Sequence, residues 1–115
     1  MSDTAPSHQL NLRKPYLKLI ADGIKTVEVR VGYPKMRRIQ AGHELTFVSD
    51  DDTVVTRVKR VTEYDSFEAL PDHEDTGAIG GDLGESRDEL LATLREIYPP
   101  EKDKLGALAI QIERA

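Results

Sequence analysis

Residues 23–30 read G-I-K-T-V-E-V-R and place a lysine, a glutamate and an arginine in what is otherwise the pattern of a buried strand. Valine occupies every second position from Val27 to Val31, which predicts a β-strand with one apolar face directed into a barrel. Side chains alternate along a strand, so Thr26, Glu28 and Arg30 are expected together on the opposite face. Charged side chains are seldom buried unless they are paired. The segment therefore predicts either an ordinary surface ion pair or a polar binding site.

The rest of the chain predicts about five strands and two or three helices. Period-two patterns place further strands at 8–12, 44–48, 53–61 and 106–113, and helical patterns lie at 15–22 and 86–97. Val61 is out of phase with Val58, so a bulge is expected near Lys59 and Arg60. Elements of this kind at short intervals predict an α+β fold, a small mixed barrel with helices packed around it.

The segment between residues 66 and 86 has a weaker pattern. Ser66 to Leu70 predicts a single helical turn that Pro71 ends. Residues 71–84, which are rich in glycine, aspartate and histidine, predict a loop that is mobile or faces a ligand.

Composition limits the domain count and the class of protein. A chain of 115 residues builds one core, so residues 8–115 are expected to form a single domain after a flexible stretch at 1–7. Cysteine is absent, which excludes disulfides and cysteine nucleophiles and favours the cytoplasm. No apolar run reaches the roughly 20 residues of a membrane-spanning helix, and the N-terminus lacks the features of an export signal, so we expect a soluble protein without a membrane partner.

The charges are unevenly distributed along the chain. Residues 11–60 carry eleven Lys or Arg against six Asp or Glu, a local balance of +5 within a net charge of −5, which leaves −10 on the remainder. The basic segment predicts either a solvated surface or a positive surface that attracts a phosphate-bearing ligand.

The octapeptide at 23–30 resembles the G-x-K-x-x-E-x-R signature of the ASCH domain, a member of the PUA-like β-barrel superfamily associated with RNA and modified nucleosides. Residues 10–23, L-N-L-R-K-P-Y-L-K-L-I-A-D-G, are similar to the family's first strand and helix. Residues 41–47, A-G-H-E-L-T-F, are similar to its G-D-x-I-x-F strand, with His43 where aspartate is common. Residues 96–112, E-I-Y-P-P-E-K-D-K-L-G-A-L-A-I-Q-I, are similar to its closing tyrosine, lysine, glycine and final strand. The resemblance implies a PUA-like mixed β-barrel of five or six strands.

The resemblance also implies a cleft between the barrel and its covering helices, with Lys25, Glu28 and Arg30 on its wall. RNA or a modified nucleoside is the implied partner, its base read by these charged side chains and covered by an aromatic ring. The candidate aromatic residues are Tyr16, Tyr64 and Tyr98, of which Tyr16 and Tyr98 also suit an apolar core. Phosphate groups would be held by Lys35, Arg37, Arg38, Arg57, Lys59 and Arg60.

A hydrolase is the alternative that the resemblance implies. Some ASCH proteins are amidohydrolases that deacylate N4-acetylcytidine through a lysine and a threonine three residues later. Here the lysine is Lys25, but the later position is Glu28, and Thr26 needs unusual geometry to act as the nucleophile. The catalytic residues of such an enzyme would be Lys25, Thr26 and Glu28, with an acid or base from Asp82, Glu85 or Glu89, which also suit a helix cap. A ribonuclease is a further alternative without a motif.

Two further expectations concern partners and metals. The acidic C-terminal half suits a protein partner if the cleft has no ligand. His8, His43 and His73 are scattered without the spacing of metal ligands, so neither a metal site nor a cofactor is expected.

Overall fold

The computed structural model describes residues 6–80 and 87–115. Within them lie the strands β1 Ser7–Asn11, β2 Val27–Val31, β3 Glu44–Ser49, β4 Asp52–Tyr64 and β5 Ala107–Arg114. The α-helices are α1 Lys14–Ala21, α2 Leu70–His73, α3 Thr76–Gly80 and α4 Arg87–Ile97, and short 3₁₀ helices lie at Met36–Arg38 and Pro100–Leu105. The predicted α+β class is confirmed. No helix in these two ranges has the length and apolar character needed to cross a membrane.

The strands form one mixed sheet in the order β1-β3-β4-β5-β2. β1 runs parallel to β3, and the other neighbours pair antiparallel. The sheet curves into a half-barrel, so β1 and β2 are its two edges. These edges approach one another where Arg30 of β2 contacts Asn11 at the end of β1.

The long strand β4 contains the predicted bulge. Its register with β5 shifts between Val58 and Arg60, which makes Lys59 the extra residue. Val58 is buried, and Val61 packs against the same core. The out-of-phase valine therefore returns to the core side of the strand, and the predicted bulge is confirmed.

Two apolar cores lie on opposite faces of the sheet. One fills the half-barrel and contains residues of α1 and four strands, among them Phe47 and Ile110. The other lies beneath the helices α2 to α4 and contains the valines of Val27–Val31. These valines were expected to point into the barrel, which is wrong. They face the helices because β5 presents Ala107 and Ala109 beside them, a shallow surface on which helices pack.

The segment after β4 also differs from the sequence prediction. Instead of a turn at 66–70 that ends at Pro71, α2 begins at Leu70 and holds Pro71 in its first turn, where the missing N–H is not needed. Residues 71–80, predicted as a loop, are largely helical, but α2 and α3 have only four and five residues and are too short to show a helical period. The rest of the predicted loop, 81–84, and residue 86, where the second predicted helix begins, lie outside the described residues.

The turn between α1 and β2 positions the charged segment. Gly23 has a φ of 78°, in the left-handed region that favours glycine, and it follows the end of α1 as predicted. The backbone N–H of Lys25 then donates to the carbonyl oxygen of Leu19 at 3.1 Å. Lys25 is thereby fixed at the entry to β2.

Candidate functional site

The structure brings Lys25, Glu28 and Arg30 together as a charged cluster, in which Lys25 is the most buried member. Its side chain is 3% exposed, and Nζ lies 3.2 Å from Oε1 of Glu28. Nζ also donates to the carbonyl oxygens of Val27 at 2.7 Å and Ile79 at 2.8 Å. Because an ammonium group has three donors, these three contacts account for all of them. Lys25 therefore joins β2 to α3.

Glu28 is the anionic centre of the charged cluster. Its Oε2 accepts a hydrogen bond from Nε of Arg30 at 2.8 Å, and its Oε1 accepts one from the backbone N–H of Val29 at 3.2 Å. Burial by itself raises the pKa of Glu28, but the charges of Lys25 and Arg30 and their hydrogen bonds outweigh burial, so the pKa is lowered. Glu28 is thus a carboxylate at neutral pH.

Arg30 links the charged cluster to the other edge of the sheet. Its Nη2 lies 2.8 Å from Oε2 of Glu28 and donates to the carbonyl oxygen of Asn11 at 2.6 Å. Glu28 and Arg30 pair with Ile110 and Leu108 of β5, so both side chains share the inner face of the half-barrel. The Arg30 side chain is 20% exposed, and Nη1 has no hydrogen-bond partner among the described residues.

A cleft lies beside the charged cluster, between β2, α4 and the connection from β1 to α1. Its polar lining includes the charged cluster, and α4 contributes the apolar side chains Leu90, Leu94 and Ile97. The cleft volume is about 220 Å³, below the roughly 300–1,000 Å³ of sites that enclose drug-sized ligands. A cleft of this size suits a ligand with a single ring system.

Two of the three predicted aromatic residues line this cleft. The ring centroid of Tyr16 lies 5.8 Å from Nζ of Lys25, and Tyr98 follows α4. Tyr98 stacks on Phe67 with ring centroids 4.9 Å apart. Burial raises the pKa of Tyr98, so its hydroxyl stays protonated and able to donate at neutral pH.

Tyr64, the third predicted aromatic residue, lies outside the cleft. Its hydroxyl donates to Oε2 of Glu74, and its ring stacks on His73 with centroids 5.6 Å apart. Burial, followed by the hydrogen bond to Glu74, raises the pKa of Tyr64 to about 12. Glu74 also accepts from Nη2 of Arg60 at 2.8 Å. Both Tyr64 and Arg60 therefore help to connect β4 with the end of α2.

The six basic residues predicted to hold phosphate do not line the cleft. Arg37 makes an exposed ion pair with another residue of the protein: Nη1 and Nη2 contact the two oxygens of Glu63 at 2.5 and 2.8 Å. Arg37 also donates to the carbonyl oxygens of Gly32 and Leu105. Of the six, Lys35, Arg38, Arg57 and Lys59 are exposed and have no ion pair to another described residue. These four remain as surface charges that an RNA chain could meet.

Of the residues of the alternative hydrolase, Lys25 and Glu28 are paired, but the described part of the chain does not bring the others to them. Thr26 does not line the cleft, and its backbone N–H donates to the carbonyl oxygen of Ala78 at 2.8 Å. Asp82 and Glu85 lie outside the described residues, and Glu89 is exposed at the start of α4. The amidohydrolase and ribonuclease alternatives gain no support from this geometry.

Two histidines that are distant in sequence are neighbours in the structure. The rings of His8 and His43 stack with centroids 5.1 Å apart, and Nε2 of His8 lies 2.9 Å from Nδ1 of His43. The prediction that the histidines are scattered is wrong for this pair. Burial, with a further contribution from His43, lowers the pKa of His8. Across residues 6–80 and 87–115, three or more His, Cys, Asp or Glu side chains nowhere come together as a group that could hold a metal ion.

Several residues that line the cleft were missed from the sequence. Arg13 and Asn11 belong to the connection between β1 and α1, and Thr93 lies on α4. Asn11 contacts Arg30 through its backbone carbonyl, which no side-chain pattern indicates. Ile97, an apolar residue at the end of α4, is 47% exposed and lines the cleft. The available sequence signal for Ile97 was that the apolar face of α4 is wider than its contact with the core requires.

A mixed half-barrel with a charged cluster on one edge strand and helices above it defines a PUA-like α+β protein. The chain matches the family model of the ASCH domain over residues 10–115, and it belongs to that family. The resemblance inferred from the octapeptide at 23–30 is confirmed.

Solved structures that share this fold include two from Pyrococcus. The crystal structure of the hypothetical protein PH0355, from Pyrococcus, has a TM-score of 0.86 and 27% sequence identity, and the similarity covers 95% of this chain and 99% of that one. The solution NMR structure of protein PF0455 from Pyrococcus furiosus has a TM-score of 0.75 and 28% identity, with 94% and 96% covered. No curated protein matches the chain.

Proposed function

We propose that this ASCH domain binds a single nucleobase, of RNA or of a modified nucleoside, in the cleft beside the charged cluster. The main support is the small cleft in which the guanidinium of Arg30, two tyrosines and the apolar side of α4 meet. A nucleobase has the matching chemistry, because its faces are apolar enough to stack and its edges carry hydrogen-bonding groups.

Arg30 is the member of the charged cluster that contacts the base in this proposal. Its Nη1 is the donor that the described residues leave unused, and it suits a carbonyl oxygen or ring nitrogen on the base edge. The polar atoms of Lys25 and Glu28 are engaged within the protein. Their role is therefore to hold the guanidinium in place, which changes the prediction that all three residues contact the ligand.

The rest of the cleft supplies surface for the faces of the base. Tyr16 and Tyr98 contribute aromatic area, and stacking of a base on an aromatic side chain is worth about 1–3 kcal/mol. The four unpaired surface charges would add attraction for an RNA chain that depends on salt but not on sequence.

Calorimetric titration with the four common ribonucleosides and N4-acetylcytidine tests this function. Ile97→Asp places a charge on the apolar side of the cleft, and Val55→Asp makes the same change at a residue of similar exposure, 41%, that does not line it. We expect at least one nucleoside to bind the wild type and Val55→Asp, and to bind Ile97→Asp about tenfold or more weakly. No binding across the panel, or equal loss in both variants, contradicts the proposal.

A further inference from the structure

We infer that the ligand of this cleft carries a phosphate group and that Arg13 binds it. The inference rests on the proposed function, because it specifies what is attached to the base. Its first support is the charge of the cleft. Among residues 6–80 and 87–115, the charged residues that line it are Arg13, Lys25, Glu28 and Arg30, a formal balance of +2 within a chain of net charge −5. A positive cleft in an acidic protein favours an anionic ligand.

The second support is that the fold does not use the charge of Arg13. Lys25 is engaged by backbone carbonyls, and Arg30 is paired with Glu28. Arg13 is exposed and has no ion pair with another described residue. It immediately precedes α1, where the helix N-terminus favours negative rather than positive charge and so gives the guanidinium no stabilising partner. Among the cleft cations, Arg13 is thus the one that no carboxylate or backbone group of the described residues holds in place.

The third support is where Arg13 lies relative to Arg30. Nη2 of Arg30 contacts the carbonyl oxygen of Asn11, which is two residues before Arg13, and all three residues line the cleft. Because Arg13 is exposed, it lies where the cleft meets solvent. A base that contacts Arg30 can therefore extend its sugar and phosphate toward Arg13. A guanidinium suits this role because its planar donors pair with phosphate oxygens.

The test compares each ribonucleoside of the panel with its 5′-monophosphate by calorimetric titration at low salt. The variants are Arg13→Gln and its matched control Arg38→Gln, which removes an arginine that is also exposed but lies outside the cleft. We expect the wild type and Arg38→Gln to bind a monophosphate about tenfold more tightly than its nucleoside, a gain typical of a charged hydrogen bond. In Arg13→Gln the ratio of the two affinities should fall to about one, with an unchanged melting temperature.

The possible results separate this inference from the function on which it rests. If a nucleoside binds and its monophosphate binds no better, or if Arg13→Gln keeps the full ratio, the phosphate inference is wrong and the base-binding proposal stands. If neither form of any nucleoside binds, both are wrong. A trinucleotide carrying the preferred base in the middle identifies the source of the phosphate: binding tighter than the monophosphate supports an RNA chain, and weaker binding supports a free nucleotide.

Discussion

Nη2 of Arg30 lies 2.6 Å from the backbone carbonyl oxygen of Asn11, so a single side chain of β2 spans the gap to β1, the opposite edge of the sheet. Edge strands carry backbone groups without a strand partner, and this contact satisfies one of them. The same guanidinium lines the cleft. Closure of the half-barrel therefore depends on the same residue that we propose contacts a ligand.

Replacement of Arg30 by lysine should weaken both the closure of the half-barrel and the proposed binding of a ligand. An ammonium can contact Glu28 or Asn11 but does not reproduce the planar fork that contacts both. We expect Arg30→Lys to lower the free energy of unfolding by about 1–3 kcal/mol, measured by urea denaturation, and to lower nucleoside affinity about tenfold. Arg38→Lys, at an exposed position outside the cleft, is the control. Wild-type stability and affinity in Arg30→Lys would show that neither depends on the guanidinium.

Loss of the Lys25 side chain should mainly lower the free energy of unfolding. Lys25→Met leaves the buried carboxylate of Glu28 without one of its two cations and removes the hydrogen bonds that Lys25 donates to two backbone carbonyls. Removal of one partner from a buried ion pair costs about 3–5 kcal/mol. Lys35→Met, at an exposed residue, should change the free energy of unfolding by less than about 0.5 kcal/mol. Equal urea midpoints for the two variants would contradict the buried role of Lys25.

The contribution of Glu28 to stability should depend on pH in a defined direction. The pKa of Glu28 is lowered in the folded state from an ordinary value of 4.5, so the unfolded chain binds the proton more tightly. The stabilisation is therefore present above pH 4.5 and is lost as the pH falls through the lowered folded pKa. In urea denaturation, the difference in free energy of unfolding between wild type and Glu28→Gln should be largest near neutrality and should shrink below pH 4.5. For Glu101→Gln, at an exposed position, the same difference from wild type should change much less with pH. A difference for Glu28→Gln that stays constant with pH would contradict the pairing of Glu28 with Lys25 and Arg30.

Gly32 should not tolerate a side chain. A Cβ atom at this position would lie 2.3 Å from the carbonyl oxygen of Leu105 and 2.8 Å from Nη2 of Arg37. We expect Gly32→Ala to lower the free energy of unfolding by about 1–3 kcal/mol, as overpacking does. Gly77→Ala is the control, because its nearest contact is a side-chain oxygen of Asp75 at 3.3 Å and alanine favours the helix of α3. Identical melting temperatures for the two variants would show that the backbone near Gly32 can move.

The elements that could be predicted are those specified by residues within the element or next to it in sequence. The period-two valines specify β2, Gly23 ends α1, and the phase of Val61 indicates the bulge in β4. Alternation shows that the two faces of β2 differ, but it does not show which face meets the barrel. That choice depends on the alanines of β5, which lie far away in sequence.

The residues of the charged cluster could be predicted from their spacing, but their partners could not. Lys25 is held by the carbonyl oxygen of Ile79, 54 residues away, and Arg37 by that of Leu105, 68 residues away. Backbone carbonyls have no signature in the sequence. The prediction therefore assigned Lys25 and Arg37 to ligand contacts, whereas both make contacts within the protein.

The most direct test of base binding observes the side chain of Arg30 itself. Nitrogen-15 NMR spectra of the arginine Nε–Hε groups can be recorded while the nucleoside that binds most tightly in calorimetry is added. The Arg30 signal should shift with the same midpoint as the backbone amide of Tyr98, while Arg37, which is held by Glu63, stays unchanged. An Arg30 signal that does not move while exposed arginines such as Arg38 and Arg57 shift would contradict binding in the cleft.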